Sequence, residues 1–162
     1  PTPDFTYGFN IYLEYKNFDF TAFFQGVQGV DIISDLKKET DIWAGLNIGF
    51  LNKGRRLLDA WSATNPNSNI PAVSLSDNNN EKRVSSYWVE NGSYLKLRTV
   101  QIGYNVPKSF AQKLAMERLR FYLSAQNLFT VKSSSFTGVD PENPNYGYPI
   151  PLNITFGLNV TF

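Results

Sequence analysis

Hydrophobic and polar residues alternate strictly at the start of the chain. Every odd position in 5–16 is apolar or aromatic, whereas the even positions are mostly polar. A period of two is typical of a β-strand with one apolar face. From Phe18 to Phe24 the apolar residues, apart from Phe23, lie at even positions instead, as expected if a two-residue turn reverses the chain within one sheet. The pattern predicts strands over 5–16 and 18–34, joined by the turn 16–17.

Three later segments carry the same alternation. In 151–162 the even positions from Leu152 onward are apolar, and the segment ends on Phe162. Segments 84–106 and 119–131 also place aliphatic and aromatic residues at alternate positions over much of their length. The sequence therefore predicts five antiparallel strands and an all-β fold.

The predicted strands are joined by connections of very different lengths. Turn 16–17 is short, and 107–118, which begins with Pro, is predicted to be a compact helical connection. The loops 35–83 and 132–150 are long and rich in Asn, Ser and Pro, with a short helix predicted at 55–62. Loops of this length are uncommon in compact domains and usually have a function.

Composition removes several classes of chemistry. The chain has 162 residues with no His and no Cys, which excludes Ser-His-Asp and Cys-His catalysis, His or Cys zinc sites and CxxC redox chemistry. A formal charge of +1 lacks the basic excess typical of nucleic-acid binding. We therefore expect no enzymatic activity, no cofactor and no nucleic-acid partner. Because the chain opens on Pro1 without an initiator Met or signal segment, we also expect a piece of a longer or processed polypeptide.

Two architectures produce such alternation. A soluble β-sandwich buries one face of each strand, and its strands usually run about 5–6 residues. Strands of about 12 residues, at about 3.3 Å each and tilted near 45°, span about 28 Å and so cross the apolar band of a transmembrane β-barrel. Such barrels have short periplasmic turns, long extracellular loops and aromatic girdles. Since 15% of the residues are aromatic and many lie near the strand ends, the pattern favours the barrel.

The two faces of a barrel wall have different surroundings. The predicted lipid-facing residues are apolar and comprise Ile11, Leu13, Phe20, Ile102, Leu123, Phe156 and Leu158. The predicted lumen-facing residues are polar and comprise Asn10, Thr21, Gln25, Gln101, Gln126 and Asn153. Five strands do not close a barrel, since the smallest have about eight, and open edges in lipid would leave backbone groups unpaired. The missing strands must come from the same protein or from further copies of this chain.

Several longer stretches follow a recognisable order along nearly the whole chain. They are FTYGFNIYLEYKNFDFTAFFQGVQGVDI (5–32), LLDAWSATNPNSNIP (57–71), RVSSYWVENGSYLKLRTVQIGYNVP (83–107), LRFYLSAQNLFT (119–130), GVDPENPNYGYPIP (138–151) and TFGLNVTF (155–162). The most specific pair is VENGSYLKLRTVQIGYNVPKS with RFYLSAQNLFT. On these stretches the chain resembles the C-terminal end of SusC/RagA-type TonB-linked outer-membrane transporters of Bacteroidetes.

This resemblance implies that the chain is about the last five strands of a barrel of about 22 strands. Its implied partners are the rest of the same transporter with its plug and TonB box, TonB itself, a SusD-like surface lipoprotein that acts as a lid, and outer-membrane lipid. The implied function is energised import of oligosaccharides or oligopeptides across the outer membrane of a Gram-negative bacterium. Loops 35–83 and 132–150 would be extracellular and turns 16–17 and 107–118 periplasmic, with Phe162 as the barrel-assembly signal.

Aromatic residues in the long segments are the candidate substrate contacts. Trp43, Trp61, Trp88 and Tyr146 can stack on sugars or pack against a substrate, but each can equally pin its loop to the barrel rim or the lid. The DPEN motif at 140–143 offers oxygen atoms to Ca²⁺, although its spacing is not that of an EF-hand and turn capping fits it better. The chain supports no metal site, and any structural Ca²⁺ would lie elsewhere in the complex.

Two other functions stay open from the residues alone. A soluble carbohydrate-binding β-domain would use the Trp and Tyr side chains and would need no detergent. An outer-membrane structural or adhesin protein would close a barrel from several copies of the chain, without a larger companion. Solubility and subunit composition distinguish these two from the transporter segment.

Overall fold

The computed structural model describes residues 2–41, 53–74, 80, 83–144 and 148–162. These residues form seven β-strands, two short α-helices and three 3-10 helices. In chain order the elements are β1 (Phe5–Tyr15), β2 (Phe18–Gln28), β3 (Asp31–Ile33), α1 (Asp35–Asp41), a 3-10 helix (Arg55–Asp59), a second (Ser86–Trp88), β4 (Val89–Asn91), β5 (Tyr94–Asn105), α2 (Lys108–Ala111), a third 3-10 helix (Gln112–Leu114), β6 (Arg118–Lys132) and β7 (Asn153–Thr161).

Five long strands form one antiparallel sheet in the order β1-β2-β5-β6-β7. They contain 11, 11, 12, 15 and 9 residues, longer than the strands of most soluble sheets. Strands β3 and β4 pair in a separate two-stranded antiparallel sheet. The predicted antiparallel, mainly β architecture is confirmed.

Cross-strand pairing gathers apolar side chains on one face of the main sheet. Directly opposite residues on antiparallel strands project to the same face. One continuous row of paired residues crosses all five strands and is apolar throughout: Leu13, Phe20, Ile102, Leu123 and Phe156. The neighbouring row is Ile11, Ala22, Val100, Ala125 and Ile154. Leu13 is 60% exposed and Phe156 68% exposed, so this face, called the apolar face below, is open to its surroundings.

Polar residues dominate the opposite face, called the polar face below. The row between the two apolar rows comprises Tyr12, Thr21, Gln101, Ser124 and Thr155. A second polar-face row comprises Asn10, Phe23, Thr99, Gln126 and Asn153. Five of the six residues predicted to face a lumen therefore lie in two adjacent rows, and Gln25, which pairs with Lys96, lies in the next.

A bulge in β5 changes which residues reach each face. Between Thr99 and Leu97 the pairing with β2 skips Arg98. At the same level the pairing of β5 with β6 skips Asn127 and Leu128 of β6. Asn127 has a φ of +56°. An extra residue bends a strand and redirects its side chains. Beyond the bulge the odd positions of β5 join the apolar face, so Leu97 lies there and Lys96 lies on the polar face.

Two of the predicted strands are each divided in two by the structure. Instead of continuing over 18–34, β2 ends at Gln28, because Gly29 adopts a φ of +69° that strands do not use. The prediction over 84–106 is likewise wrong in its first part, where a 3-10 helix and the short β4 precede β5. The Gly29 amide donates to the Ser93 hydroxyl oxygen at 3.0 Å, so both chain segments leave the main sheet at one corner.

The remaining boundaries differ by smaller amounts. β6 extends one residue beyond 119–131 at each end, and β7 begins at Asn153 rather than 151. The helix predicted at 55–62 is a 3-10 helix limited to Arg55–Asp59. Within the predicted loop 35–83 the structure contains α1.

Two compact connections join strands at one end of the sheet. In turn 16–17 the positive φ of 55° belongs to Lys16. The Asn17 carbonyl accepts the Asn105 amide at 2.8 Å and so ties this turn to β5. Connection 107–118 contains α2 and a 3-10 turn, and it reverses at Ala115 with a φ of +54°. Among the described helices, none is both long and apolar enough to span a bilayer.

Glycines in the main sheet make room for large side chains of neighbouring strands. Gly157 pairs with Tyr122, and a Cβ at Gly157 would lie 2.4 Å from the Tyr122 ring. Gly26 lies under the Tyr7 ring in the same manner, at 2.1 Å. A side chain at either glycine would therefore displace an aromatic ring from the strand surface.

We expect Gly157→Val to destabilise the full-length protein by about 1–3 kcal/mol, the usual cost of overpacking. Adding Tyr122→Ser should restore part of this loss, because the displaced ring is then absent. Thermal unfolding in detergent, followed by circular dichroism, measures both effects. An unchanged melting temperature in Gly157→Val would contradict the close packing.

Candidate functional site

A buried lysine on the polar face holds the connection between β6 and β7. The Lys96 side chain is 1% exposed. Its ammonium lies 3.1 Å from both carboxylate oxygens of Asp140 and 2.5 Å from Oε2 of Glu142. A buried charge requires such partners, since desolvation without them is very costly. Lys96 therefore fixes the segment 133–144, which we call the inward segment, against the sheet.

Two neighbouring side chains of β5 add to this contact. The Tyr94 hydroxyl donates to Oε1 of Glu142 at 2.6 Å. Arg98, at the bulge, donates through Nε to Oε1 of Gln25 at 2.8 Å and also pairs with Glu142. Glu142 thus receives hydrogen bonds from three side chains of one strand.

The surroundings of Glu142 keep its carboxyl group ionised. Burial alone would raise the pKa of Glu142, but the Lys96 ammonium, the Tyr94 hydroxyl and the Arg98 guanidinium outweigh it and hold the pKa below its ordinary value. Since two cations face two carboxylates, this cluster, called the Lys96 cluster below, carries no net charge.

The DPEN motif forms a capped turn. Oδ1 of Asp140 accepts the Glu142 amide at 3.0 Å, and its carbonyl accepts the Asn143 amide at 3.1 Å. Both carboxylates are already neutralised by cations of β5. Within the described residues no group of three or more carboxylate, His or Cys side chains is arranged to hold a metal ion. Turn capping is thus the role that the geometry assigns to Asp140.

The inward segment is also held from its other side by β4. Glu90 is 4% exposed, and it accepts the amide of Thr137 at 3.0 Å and the Thr137 hydroxyl at 2.7 Å. Lys37 of α1 approaches the same carboxylate at 3.9 Å. Burial lowers the pKa of Lys37, although Glu90 opposes this effect. The inward segment therefore lies between the main sheet and the small β3–β4 sheet.

A second group of contacts holds α1 to the segment before β4. Asp41 accepts Nε of Arg56 at 2.6 Å and the Tyr87 hydroxyl at 2.6 Å. The Lys37 ammonium lies 4.0 Å from the centroid of the Tyr87 ring. Burial, followed by the hydrogen bond to Asp41, raises the pKa of Tyr87. Polar contacts thus connect α1 with the 3-10 helix at Arg55–Asp59 and with the residues before β4.

The predicted substrate-binding aromatics have different environments. Trp88 is 2% exposed, packs edge-on against Tyr87 and donates its indole N–H to the Arg83 carbonyl at 2.9 Å. Such a ring has no free face for a ligand, so its position is that of a loop anchor. Trp61 is 48% exposed and is accessible. Trp43 and Tyr146 lie outside the described residues.

Trp61 projects from a turn that is braced by polar contacts. Asn65 donates through its amide nitrogen to the Asp59 carboxylate at 2.9 Å and accepts, through its backbone carbonyl, from the Ser62 amide at 3.4 Å. The Trp61 amide donates to the Ile70 carbonyl at 2.9 Å. Trp61 therefore lies exposed on a turn that hydrogen bonds hold in place, whereas Trp88 is buried.

A separate ion pair lies on the polar face nearer the compact turns. Nε of Arg120 donates to Oδ2 of Asp19 at 3.1 Å, and Nδ2 of Asn105 donates to the same oxygen at 3.2 Å. Asp19 is 8% exposed. Gly103 lies between the two charged groups, and a Cβ there would meet both at 2.4 Å. This glycine therefore permits the ion pair.

The residues of both polar-face clusters were missing from the predicted site. A sequence signal existed for Asp19 and Arg120, which are charged residues at polar positions inside long strands. Lys96 instead has the parity of the apolar residues of β5 and reaches the polar face because of the bulge. Their partners were not visible, since Asp140 lies 44 positions from Lys96 and Arg120 lies 101 positions from Asp19. Local pattern gives the face of Asp19 and Arg120 but not their partners, and for Lys96 it gives the wrong face.

Comparison with known proteins identifies relatives of the chain. The chain matches no protein-family model. Over its whole length it is 38% identical to the TonB-dependent receptor P3 of Formosa agariphila and 35% identical to the TonB-dependent receptor P26 of the same organism. The chain is related to the TonB-dependent receptors. It spans 17% of the length of each of these curated relatives, so it corresponds to a segment of a receptor.

Solved structures agree with this relationship. The RagAB peptide importer, in its closed-closed and its open-open state, superposes on 99% of the chain with a TM-score of 0.81 and 28% identity. The chain covers 17% of that importer chain. The predicted resemblance to TonB-linked transporters is thereby confirmed over the length of this chain. None of these relatives is described as an enzyme.

The lowered pKa of Glu142 predicts an acid-sensitive contact in this chain. A depressed carboxyl pKa stabilises the folded state above the ordinary glutamate pKa of about 4.3, and this contribution is lost as the pH falls through the lower folded-state pKa. We expect the melting temperature of the full-length protein to fall between about pH 5 and pH 3, and to fall less steeply in Glu142→Gln.

Thermal unfolding across this pH range measures the difference between the two proteins. Glu14→Gln is the matched control, because Glu14 is exposed and lies outside the Lys96 cluster. Identical pH profiles for the wild-type protein and Glu142→Gln would contradict the assignment.

Proposed function

We propose that the chain is a wall segment of a TonB-dependent outer-membrane importer of oligosaccharides or oligopeptides. The observation that carries this proposal is the two-faced five-stranded sheet, whose rows are apolar on one face and polar on the other. The relationship to TonB-dependent receptors supports it. In this proposal the segment performs no covalent chemistry.

The exposure of the apolar face supports a lipid environment. Leu13, Ile102, Leu123, Phe156 and Leu158 are each at least half exposed. Burying such a face in water-soluble form would require a covering layer, whereas lipid needs none. We assign the apolar face to lipid and the polar face to the lumen, with the soluble β-domain as the disfavoured alternative.

The edges of the sheet support a larger barrel. β1 and β7 each pair on one side only within the described residues, and unpaired strand edges are prohibitively costly in lipid. We propose that both pair with other strands of the same protein, which complete a barrel of about 22 strands. The family resemblance of 155–162 supports placing β7 as the final strand and Phe162, which is 86% exposed, as the assembly signal.

The connections indicate how the segment is oriented. We propose that turn 16–17 and connection 107–118 lie at the periplasmic end of the sheet and that the long connections from β2 to β5 and from β6 to β7 start at its extracellular end. A SusD-like lipoprotein would cover the outer side, and exposed Trp61 is the described aromatic that we propose contacts the lid or the substrate. TonB and the plug would act through parts of the transporter other than this segment.

A charge on the apolar face tests the assignment of lipid and lumen. We expect Phe156→Arg to reduce barrel assembly, because an arginine near the bilayer midplane costs about 2–4 kcal/mol. Gln126→Arg, on the polar face of the adjacent strand, is the matched control and should assemble nearly normally. The fraction of full-length protein that stays folded in an unheated SDS gel measures assembly. Equal assembly of the two variants would contradict the assignment.

Uptake by cells tests the transport function. We expect a strain lacking the full-length gene to lose uptake of one labelled substrate class, and loss of TonB to have the same effect. Mixtures of oligosaccharides and of oligopeptides are supplied separately, since RagAB is a peptide importer and the receptors of Formosa agariphila carry no substrate in their names. Native mass spectrometry of the purified transporter checks for a lipoprotein partner. Uptake that is independent of TonB would overturn the proposal.

A further inference from the structure

The inward segment 133–144 folds back over the polar face of the sheet. Four polar-face side chains contact it. Tyr94 and Lys96 bind Glu142, Arg98 binds Glu142, and Lys132 donates to the Gly138 carbonyl. Tyr94, Lys96 and Lys132 belong to two adjacent polar-face rows of β5 and β6. The segment therefore lies against the inner side of the sheet and does not project beyond the strand ends.

The burial of these contacts indicates that the inward segment is fixed. Lys96 is 1%, Phe136 4% and Asp140 6% exposed. Among the described residues no buried side-chain nitrogen or oxygen lacks a hydrogen-bond partner. Two cations face two carboxylates, so no unpaired charge favours opening. Removing one member of such a buried set is strongly destabilising because it leaves an uncompensated charge.

The inward segment also contacts residues in and next to the small β3–β4 sheet. Thr137 donates to Glu90 through its amide and its hydroxyl, at 3.0 and 2.7 Å. The Thr137 hydroxyl lies 3.5 Å from that of Ser34, and the Ser133 amide donates to the Ser93 carbonyl at 3.0 Å. Because contacts hold it from both sides, the inward segment is fixed in place.

We propose that the inward segment is a fixed constriction, held by the Lys96 cluster, that limits the size of molecules passing along the polar face. This inference rests on the proposed function, because it requires the polar face to line a passage. It makes Lys96 a positioning residue for size selection, since its side chain is covered and acts through Asp140 and Glu142.

The test uses the full-length transporter in intact cells, in a background whose other cysteines are replaced by serine. A single cysteine replaces Gln126, which is exposed on the polar face. Gln126 pairs with Thr99, on the side of the bulge that is nearer the compact connections. Maleimides carrying polyethylene glycol chains of increasing length are then added from outside. The rate of labelling at each polyethylene glycol length shows which reagents are small enough to pass the inward segment.

We expect the background protein to be labelled at Gln126→Cys only by the smallest reagents. Adding Lys96→Met should release the inward segment and raise labelling by the next larger reagents about ten-fold or more, because a buried charge pair is broken. Lys113→Met is the matched control, since Lys113 lies on the compact connection at the other end of the sheet. It should leave the size limit unchanged.

A second variant covers the case in which Lys96→Met fails to assemble. Asp140→Asn removes one negative charge but keeps an amide oxygen in its place, and Lys96 can still pair with Glu142, so it should loosen the segment more mildly and shift the size limit in the same direction. The purely structural alternative predicts lower stability with an unchanged size limit. An unchanged limit in every assembled variant would overturn the inference.

A cysteine at Val139 separates this result from failure of the proposed function. Val139 is 66% exposed on the inward segment, and reagents of small size should label Val139→Cys from outside. If Val139→Cys is not labelled in intact cells but is labelled after lysis, the proposed orientation is wrong and the inference falls with it. If Val139→Cys is labelled and the limit at Gln126→Cys does not move, only the constriction is wrong.

Discussion

The hydrogen-bond register of the five long strands is the constraint on which the other features of this chain depend. Because side chains alternate between faces, one register decides the surroundings of every residue, and a slip by one position would exchange the two faces. The row from Leu13 to Phe156 shows that a single register satisfies all four pairings at once. Backbone groups inside the main sheet are then paired, whereas β1 and β7 each leave one edge unpaired within the described residues.

The bulge at Arg98 is the place where this register is adjusted. Without the skipped residue, Lys96 would lie on the apolar face with Leu13 and Phe20, where a charged side chain is very costly. The bulge instead brings Lys96 to the polar face, where Asp140 and Glu142 neutralise it. The departure from regular pairing and the buried ion cluster therefore depend on each other, and the inward segment depends on both.

Prediction from sequence succeeded where the determining pattern is local. The alternation over β1 and β7 fixes their faces without knowledge of partners, and it correctly grouped Phe156 with Leu123. It failed at Gly29, where the chain leaves the main sheet, because a glycine in an alternating run gives no sign that its φ will be positive. It also missed the Lys96 cluster, since contacts across 44 positions are set by the fold and not by spacing.

The charges on the polar face are arranged so that they compensate one another locally. Asp19 is neutralised by Arg120, and the Lys96 cluster is neutral as a whole. The field of such pairs falls off quickly with distance, so they contribute little long-range attraction for either charge. If the polar face lines a passage, a substrate there meets amide and hydroxyl groups such as those of Gln101 and Thr155. This segment is then suited to uncharged hydrogen-bonding ligands, and selection by charge would have to come from other parts of the protein.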